Sequence, residues 1–211
     1  MNFQEYPKIE TLFKRGPTFV VDPSRIKKPV LATISEWDVT EKIDGMNIRV
    51  GLSTQGDVTF GGRTDAAKIP GDLVDYLNKT FPMNWMKQAL WIDQTPPEFV
   101  LYGEGYGAGI QKVGKSYRAD KAFILFDVLV GGKWWLGDAD VREIGGKLGV
   151  EVVPYLGRMS LGEIVELVRK PFPSRIGTAE AEGVVARPIE TLFNKRGDRV
   201  IIKLKTRDFN V

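Results

Sequence analysis

The chain has 211 residues, 43% of them hydrophobic and 27% charged, which is typical of an ordinary folded protein rather than a disordered or fibrous one. It contains no cysteine, so disulfides, thiolate metal sites and a cysteine nucleophile are excluded. It also contains no histidine, the most common general base and transition-metal ligand. A bound metal would therefore be held by oxygen ligands, which favours magnesium or manganese.

The net charge of +3 permits a polyanionic partner but is weak evidence for one. Residues Met1 to Arg15 carry charges throughout and do not resemble a signal peptide. No stretch approaches the roughly 20 apolar residues of a membrane span. We therefore expect a cytoplasmic, monomeric protein that binds no membrane.

Short β-branched or aromatic runs, separated by Gly, Asp and Pro, predict most of the regular structure as strands. In chain order these runs are Trp37–Leu52, Val58–Gly61, Glu98–Gly103, Ala122–Val130, Gly183–Arg187 and Arg199–Leu204. Within the first run, Ile48, Val50 and Leu52 alternate with Arg49, Gly51 and Ser53, which indicates a half-buried strand.

Helix patterns are fewer. They cover Gly71–Thr80, which stops before Pro82, then Asp140–Leu148, and then Ser160–Arg169, where Ser160 and Glu163 have the spacing of a capping box. Strands and helices do not alternate regularly, so a doubly wound parallel sheet is not expected. We predict one α+β domain over residues 1–211, with antiparallel sheets, helices packed outside them and no separate C-terminal domain.

The first segment with possible chemistry is Glu41-Lys42-Ile43-Asp44-Gly45. Its ordinary interpretation is a β-turn, because Asp-Gly is a common hairpin turn. The functional interpretation is a nucleophilic lysine, whose amine attacks the α-phosphorus of a nucleotide and holds it as a phosphoramidate. Lys42 would have to lose its proton before attacking, and nearby cations favour that loss.

Further charged residues stand at the ends of predicted strands. Lys203 and Lys205 are two apart, so both should leave the same face of a strand, either to guard an exposed edge or to hold phosphates. Glu104 and Glu182 each adjoin glycine at a strand end. Each is either part of a turn or a carboxylate that binds ribose hydroxyls or magnesium.

Taken in order, six segments resemble the covalent nucleotidyltransferases, which comprise DNA ligases, RNA ligases and messenger-RNA capping enzymes. The segments are Lys42-Ile43-Asp44-Gly45, Gly61-Gly62-Arg63-Thr64, Tyr102-Gly103-Glu104, Phe123-Ile124-Leu125-Phe126-Asp127, Glu182-Gly183-Val184-Val185 and Lys203-Leu204-Lys205. Six motifs in the right order are far more specific than any one of them.

The chain is more similar to the branch of RNA ligases that includes the second RNA ligase of T-even bacteriophages. Asn47, the stretch Gly107-Ala108-Gly109-Ile110-Gln111-Lys112 and the approach Gly197–Lys203 carry this resemblance. A phage-encoded protein of this kind would act in the host cytoplasm. Two features depart from the branch: Met46 stands where threonine is usual, and the sequence ends six residues after Lys205. We therefore expect robust self-adenylylation but weak independent joining of ends.

The resemblance implies a nucleotidyltransferase fold of antiparallel sheets around a nucleotide cleft, and a three-step reaction. Lys42 takes AMP from ATP, AMP moves to a 5′-phosphate, and a 3′-hydroxyl displaces it. It also implies roles for the other residues: Lys203 and Lys205 at the α-phosphate, Arg63 and Glu104 at the ribose or adjacent phosphate, Phe126 stacked on adenine, Glu41 at adenine, Glu182 beside Mg²⁺ or Mn²⁺, and Asn47 at the 5′-phosphate being joined. For the stacking role, Phe123 is an alternative to Phe126, whose ordinary interpretation is a core aromatic.

Three alternatives remain open from the sequence. A capping guanylyltransferase would use the same lysine chemistry with GTP, and a DNA ligase would differ in its preferred sugar, which 2′-hydroxyl contacts decide. The third is a non-catalytic nucleic-acid-binding relic of a ligase. We expect the partner to be nucleic acid, as a nicked duplex or aligned RNA ends.

Overall fold

The computed structural model describes residues 3–16, 21–91 and 96–209. The strands are β1 (Glu10–Thr11), β2 (Phe13–Arg15), β3 (Val21–Ile26), β4 (Trp37–Lys42), β5 (Met46–Leu52), β6 (Val58–Gly62), β7 (Phe99–Gly107), β8 (Lys121–Val130), β9 (Trp134–Trp135), β10 (Glu151–Val152), β11 (Tyr155–Met159), β12 (Gly183–Pro188) and β13 (Ile202–Lys205). The helices are α1 (Gly71–Thr80), α2 (Met83–Leu90), α3 (Gly114–Tyr117), α4 (Asp138–Leu148) and α5 (Leu161–Val168), with short 3-10 turns at Pro29–Thr33 and Thr206–Asp208.

The chain forms two compact units. The six-stranded unit comprises Met1–Tyr6 and Asp44–Val153, and the five-stranded unit comprises Pro7–Ile43 and Pro154–Val211. Each contains its own sheet, at least one α-helix and its own apolar core. Sheets built largely from antiparallel pairs, with helices interspersed, confirm the predicted α+β class.

In the six-stranded unit the strand order is β10-β8-β7-β5-β6, and β9 pairs with β8. All pairs are antiparallel except β10 with β8. Helices α1, α2 and α4 bury their apolar faces in one core, where Leu73 and Leu77 of α1 meet Ile48 and Val50 of β5. Burial of each such side chain contributes about 1.5–3 kcal/mol, so this core fixes the sheet.

Strand β5 differs from the half-buried strand that the alternation predicted. Arg49, Gly51 and Ser53 are buried as completely as the apolar residues between them. At Arg49 and Gly51 the reason is the amino-terminal segment: the Phe3 carbonyl accepts a hydrogen bond from Arg49, and the Phe3 ring lies so close to Gly51 that a Cβ there would be 1.7 Å from the ring. The sequence pattern could not show that a distant segment covers the second face, so the prediction of a solvated face was wrong.

In the five-stranded unit the order is β1-β13-β12-β4-β11. The short strand β1 pairs parallel with β13, and the other pairs are antiparallel. Its core is formed by Trp37 and Val39 of β4, by Val184 of β12 and by Ile164 and Val168 of α5. Ser160 and Glu163 form the capping box that the spacing predicted at the start of α5.

Several boundaries differ from the prediction; β7, for example, continues to Gly107 rather than Gly103. Trp37–Leu52 is two strands, β4 and β5, separated at residues 43–45. Pro82, taken as a stop, also precedes helix α2, because proline is compatible with the start of a helix. The last strand begins at Ile202 rather than Arg199. No helix in the described parts of the chain is long and apolar enough to cross a membrane.

Candidate active site

Three charged side chains meet at one row of the five-stranded sheet. Lys42 ends β4, Lys205 ends β13, and both pair with Gly183 of the intervening strand β12. Glu182 immediately precedes that glycine. Its Oε2 lies 2.5 Å from Lys42 Nζ, and its Oε1 accepts a hydrogen bond from Lys205 Nζ. Neighbouring strand ends therefore bring together residues that are 163 positions apart in the sequence.

The cluster is largely shielded from water, with the Lys42, Glu182 and Lys205 side chains 20%, 10% and 17% exposed. Burial alone raises the pKa of Glu182, but the charge of Lys42 and the hydrogen bonds from both lysines outweigh it, so the pKa is lowered overall. Glu182 is therefore ionised at neutral pH. Two lysines and one carboxylate carry a net charge of +1, which suits an anionic ligand such as a phosphate.

Gly183 makes this arrangement possible. It has a φ of +153°, and a Cβ there would lie 2.0 Å from the carbonyl oxygen of Leu204. A side chain would push β13 away from β12 and separate Lys205 from Glu182. Only glycine fits this position.

Strand β13 explains the position of the second C-terminal lysine. Ile202 and Leu204 are buried in the core, whereas Lys203 and Lys205 are partly exposed, which confirms that both lysines leave the same face. Lys203 pairs with Val185 of β12 and so lies one step along the strand from the Lys42–Glu182–Lys205 cluster.

Glu41 has a different environment from the one expected for an adenine contact. Its side chain is 1% exposed and points to the core side of β4, where its carboxylate accepts hydrogen bonds from the Ser174 hydroxyl and the Arg175 backbone N–H. Its own backbone N–H donates to Pro154 at 2.8 Å. Both the side chain and the N–H are thus engaged in holding the 174–175 segment and β4 in place.

The remaining predicted site residues lie in the six-stranded unit. Asn47 of β5 pairs directly with Glu104 of β7, so these two half-buried polar side chains share one face of the sheet. The Oδ1 atom of Asn47 is buried and has no hydrogen-bond partner among the described residues. A buried carboxamide oxygen without a partner is costly unless a ligand or water satisfies it.

Arg63 is exposed just beyond the end of β6. The residue that fixes this segment is Arg49, which the sequence analysis did not single out for a role. Its guanidinium donates to the Gly62 carbonyl at 2.8 Å, to Asp65 at 2.7 Å and to the Phe3 carbonyl at 2.5 Å. Arg49 therefore ties the Arg63-bearing loop to the sheet and to the amino-terminal segment.

Phe126 and Phe123 are clearly distinguished. Phe123 is 1% exposed and packs edge-on against Phe81 in the core, so it is not available for stacking. Phe126 occupies a β-bulge, since Tyr102 pairs with Asp127 while the next residue of β7 pairs with Leu125. The bulge turns Phe126 out of the core, and its half-buried ring meets Tyr6 edge-on at 5.0 Å.

Residues after β7 form hydrogen bonds with the turn that follows Ile43. Gln111 donates to the Gly45 carbonyl at 3.2 Å, and the Asp44 N–H donates to the Tyr117 hydroxyl at 3.3 Å. Gln111 itself adopts a φ of 55°, which is uncommon for a residue other than glycine. In the sequence Gln111 carries only a resemblance, and nothing local to Tyr117 indicates a role for it.

No group of three or more acidic side chains that could hold a metal occurs among the described residues. Glu182 is the carboxylate of the cluster, and each of its oxygens bonds a lysine ammonium group.

Comparison with known proteins places this arrangement in a family. The RNA ligase family model matches residues 35–205, most of the chain, including Lys42 at one end and Lys205 at the other. The chain belongs to the RNA ligase family. No curated protein sequence matches it.

This RNA ligase family member has the fold of solved RNA ligases from Naegleria gruberi. A mutant solved with ATP and Mn has a TM-score of 0.68 at 18% identity, over 97% of this chain and 62% of that one. A structure with PPi has a TM-score of 0.66 at 18% identity and covers 97% of this chain and 62% of that one. A mutant with AMP and Mn has a TM-score of 0.66 at 17% identity and covers 96% of this chain and 60% of that one. The chain thus spans about three fifths of these proteins. The particular resemblance to the T-even phage branch stays a prediction.

Proposed function

We propose that this protein is an ATP-dependent RNA ligase and that Lys42 carries AMP as a covalent intermediate. The observation that carries the proposal is the Lys42–Glu182–Lys205 cluster, formed by three adjacent strands in a chain of the RNA ligase family. A lone lysine before an Asp-Gly turn has a structural explanation. A lysine beside a second lysine and a shared carboxylate supports phosphoryl chemistry far better.

In the first step the Lys42 nitrogen attacks the α-phosphorus of ATP. A P–N bond forms, the bond to the bridging oxygen breaks, and pyrophosphate leaves with its electron pair. The Lys42 ammonium first loses one proton to water or to the adjacent carboxylate of Glu182, and the nitrogen loses a second proton to water as the P–N bond forms. Lys205 and Lys203 would stabilise the negative charge that develops on the phosphoryl oxygens, a contribution typically worth about 3 kcal/mol per donor.

In the later steps AMP passes from Lys42 to a 5′-phosphate, and a 3′-hydroxyl then attacks that activated phosphate and releases AMP. Asn47 would contribute at the 5′-phosphate, because its carboxamide is half-buried and its oxygen lacks a partner. Glu104, opposite it, would accept hydrogen bonds from ribose hydroxyls. Arg63 would contact the ribose or an adjacent phosphate as an exposed cation.

Phe126 would stack on adenine, since the bulge presents its ring outside the core and every base offers a π-face. For Glu41 we propose a positioning role through the Ser174–Arg175 segment instead of direct contact with adenine, because its carboxylate is already bonded there. Mg²⁺ or Mn²⁺ would be held by Glu182 and nucleotide phosphates and would supply Lewis-acid polarisation of the phosphate.

Self-adenylylation tests the proposal before any nucleic-acid substrate has to be chosen. The protein is incubated with magnesium and ATP labelled at either the α- or the γ-phosphate and is then run on a denaturing gel. Label should enter the protein from the α-position only, and added pyrophosphate should remove it. Lys42→Ala should show no label, and Lys42→Arg, which keeps the charge but is not nucleophilic, should match it.

A normal adduct in Lys42→Ala, mapped to another lysine, would refute the assignment of the nucleophile. Unlabelled GTP in excess separates ATP from GTP chemistry, because competition equal to that of unlabelled ATP would indicate a capping guanylyltransferase. Absence of label in the wild-type protein at all nucleotide and metal concentrations would favour the non-catalytic alternative.

For the nucleic acid we propose pre-aligned ends, such as a nick in an RNA duplex. With a net charge of only +3, phosphate contacts should be few, and a complementary strand supplies positioning that the protein would otherwise have to provide. Sealing of a nicked duplex is compared with joining of free single strands at equal concentration and salt. Faster joining of the single strands would contradict this choice of substrate.

A further inference from the structure

A short hairpin leads into strand β13 of the five-stranded unit. Phe193 forms an antiparallel bridge with Arg199, and the Val200 N–H donates to the Leu192 carbonyl at 2.8 Å. The Asn194 backbone N–H donates to the Asp198 backbone carbonyl at 2.8 Å, which closes a three-residue loop of Lys195, Arg196 and Gly197. We call residues 192–200 the basic hairpin.

The loop of the basic hairpin is well fixed by its own side chains. Asn194 Oδ1 accepts hydrogen bonds from the N–H groups of Arg196 and Asp198 at 2.8 and 3.0 Å, and its Nδ2 donates to the Asp198 carboxylate at 2.9 Å. Gly197 supplies the left-handed residue, with a φ of +81°, that such three-residue loops require. The loop therefore presents Lys195 and Arg196 from a defined backbone.

Both cations are exposed at the tip, and neither side chain forms an ion pair with any residue in the described parts of the chain. The carboxylate of Asp198, the nearest acid in sequence, accepts a hydrogen bond from the Asn194 side-chain amide. Elsewhere basic side chains often form ion pairs, as Lys27 and Lys28 do with Glu10. The tip thus offers two adjacent positive charges that form no ion pair within the described parts of the chain.

The same hairpin exposes apolar surface. Phe193 is 57% and Leu192 41% exposed, and Ile189 just before them is also exposed. A folded protein seldom leaves neighbouring large apolar residues in water unless they contact a partner. An aromatic ring beside two cations is the combination that binds a nucleic-acid strand, since the cations take phosphates and the ring packs against a base or sugar.

We propose that the basic hairpin is a nucleic-acid contact surface, at which Lys195 and Arg196 bind backbone phosphates and Phe193 packs against the strand. This inference rests on the proposed function and adds to it a substrate-binding element outside the Lys42 cluster. The hairpin leads directly into β13, which carries Lys203 and Lys205. Bound nucleic acid would therefore contact the segment that immediately precedes these two lysines.

The test measures binding of the full chain to a fluorescent nicked RNA duplex by anisotropy, without ATP, over a series of KCl concentrations. The variants are the double change Lys195→Ala and Arg196→Ala, and the single change Phe193→Ala. The matched control is the double change Lys133→Ala and Lys170→Ala, which removes two exposed cations outside the hairpin. Lysyl-AMP formation without nucleic acid reports that each variant is folded.

The hairpin double variant should bind at least about tenfold more weakly near 0.1 M salt, and its slope of log affinity against log salt should fall by about two, one per phosphate contact. Phe193→Ala should weaken binding about tenfold with an unchanged slope, because it removes a stacking contact and no charge. The control should keep the wild-type affinity within about twofold and the wild-type slope.

If the hairpin double variant behaves like the control, the proposal is overturned, and the exposed apolar residues would then indicate a protein partner. An unchanged affinity in Phe193→Ala would overturn the part of the proposal that concerns the ring. Failure of the proposed function would appear differently, as a wild-type protein that forms no lysyl-AMP whatever its affinity for the duplex.

Discussion

Replacing Glu182 with glutamine removes the negative charge that bridges the Lys42 and Lys205 ammonium groups. Loss of one partner from a fully buried ion pair costs about 3–5 kcal/mol. Here the two lysine side chains retain 20% and 17% exposure, so water screens part of the uncompensated charge. We therefore expect the free energy of unfolding to fall by about 2 kcal/mol at pH 7, equivalent to about 4–8 °C in Tm for a chain of this size.

The loss of stability should depend on how many charges a substitution leaves unpaired, and not only on how many contacts it removes. Lys205→Met leaves the Lys42–Glu182 pair intact and neutral, so it should cost less than about 1 kcal/mol, because no charge is left unpaired. Glu190→Gln, at an exposed glutamate of the same unit, is the matched control and should be neutral within about 0.5 kcal/mol. Urea unfolding followed by circular dichroism, without nucleotide, measures all three.

The pH dependence follows from the lowered pKa of Glu182. A carboxyl whose pKa is lower in the folded than in the unfolded protein stabilises the fold fully above its ordinary value, here 4.5, and progressively less as the pH falls through the folded value. The difference between wild type and Glu182→Gln should therefore be constant near neutrality and shrink below pH 4.5. Equal stability of Glu182→Gln and wild type at pH 7, or a difference that grows in acid, would refute this account.

Further substitutions test other parts of the site. Lys203→Ala and Lys205→Ala should each slow lysyl-AMP formation about a hundredfold in a single-turnover assay; rates near wild type would exclude a role for them at the reacting phosphate. Gly183→Ala should lower the free energy of unfolding by more than about 2 kcal/mol because its Cβ would overlap the Leu204 carbonyl, whereas Gly146→Ala, on the open face of α4, should raise it by about 0.5–1 kcal/mol. Gln111→Gly keeps the positive φ but loses the bond to Gly45, and lysyl-AMP formation should slow about fivefold with an unchanged melting temperature.

The sequence predicted the chemistry-bearing strands well because their apolar patterns and turn residues are local. Thus Lys203 and Lys205 share a face as their spacing required. Local patterns of this kind do not show which side chains of distant strands contact each other. Nothing near Glu182 indicates that its oxygens would bond two lysines, and an acid beside glycine equally suited a metal ligand or a turn.

Other differences arise where a distant segment overrides a local pattern. The buried state of Arg49 depends on Phe3, and that of Glu41 depends on Ser174. The bulge that separates Phe126 from the core residue Phe123 is set by the register between β7 and β8, which a single strand does not reveal. The start of β13 was misplaced because the residues before it form a hairpin, whose Asn194 and Gly197 are recognisable turn residues in retrospect.

The parallel pairing of β1 with β13 has a consequence for handling the protein. Glu10 and Thr11 lie opposite Ile202 and Lys203, at the edge of the five-stranded sheet. Unpaired sheet edges promote association between chains. A shortened version beginning after Thr11 would uncover the backbone of β13 and would be prone to aggregate during expression. Affinity tags are therefore better added ahead of an intact amino terminus than substituted for it.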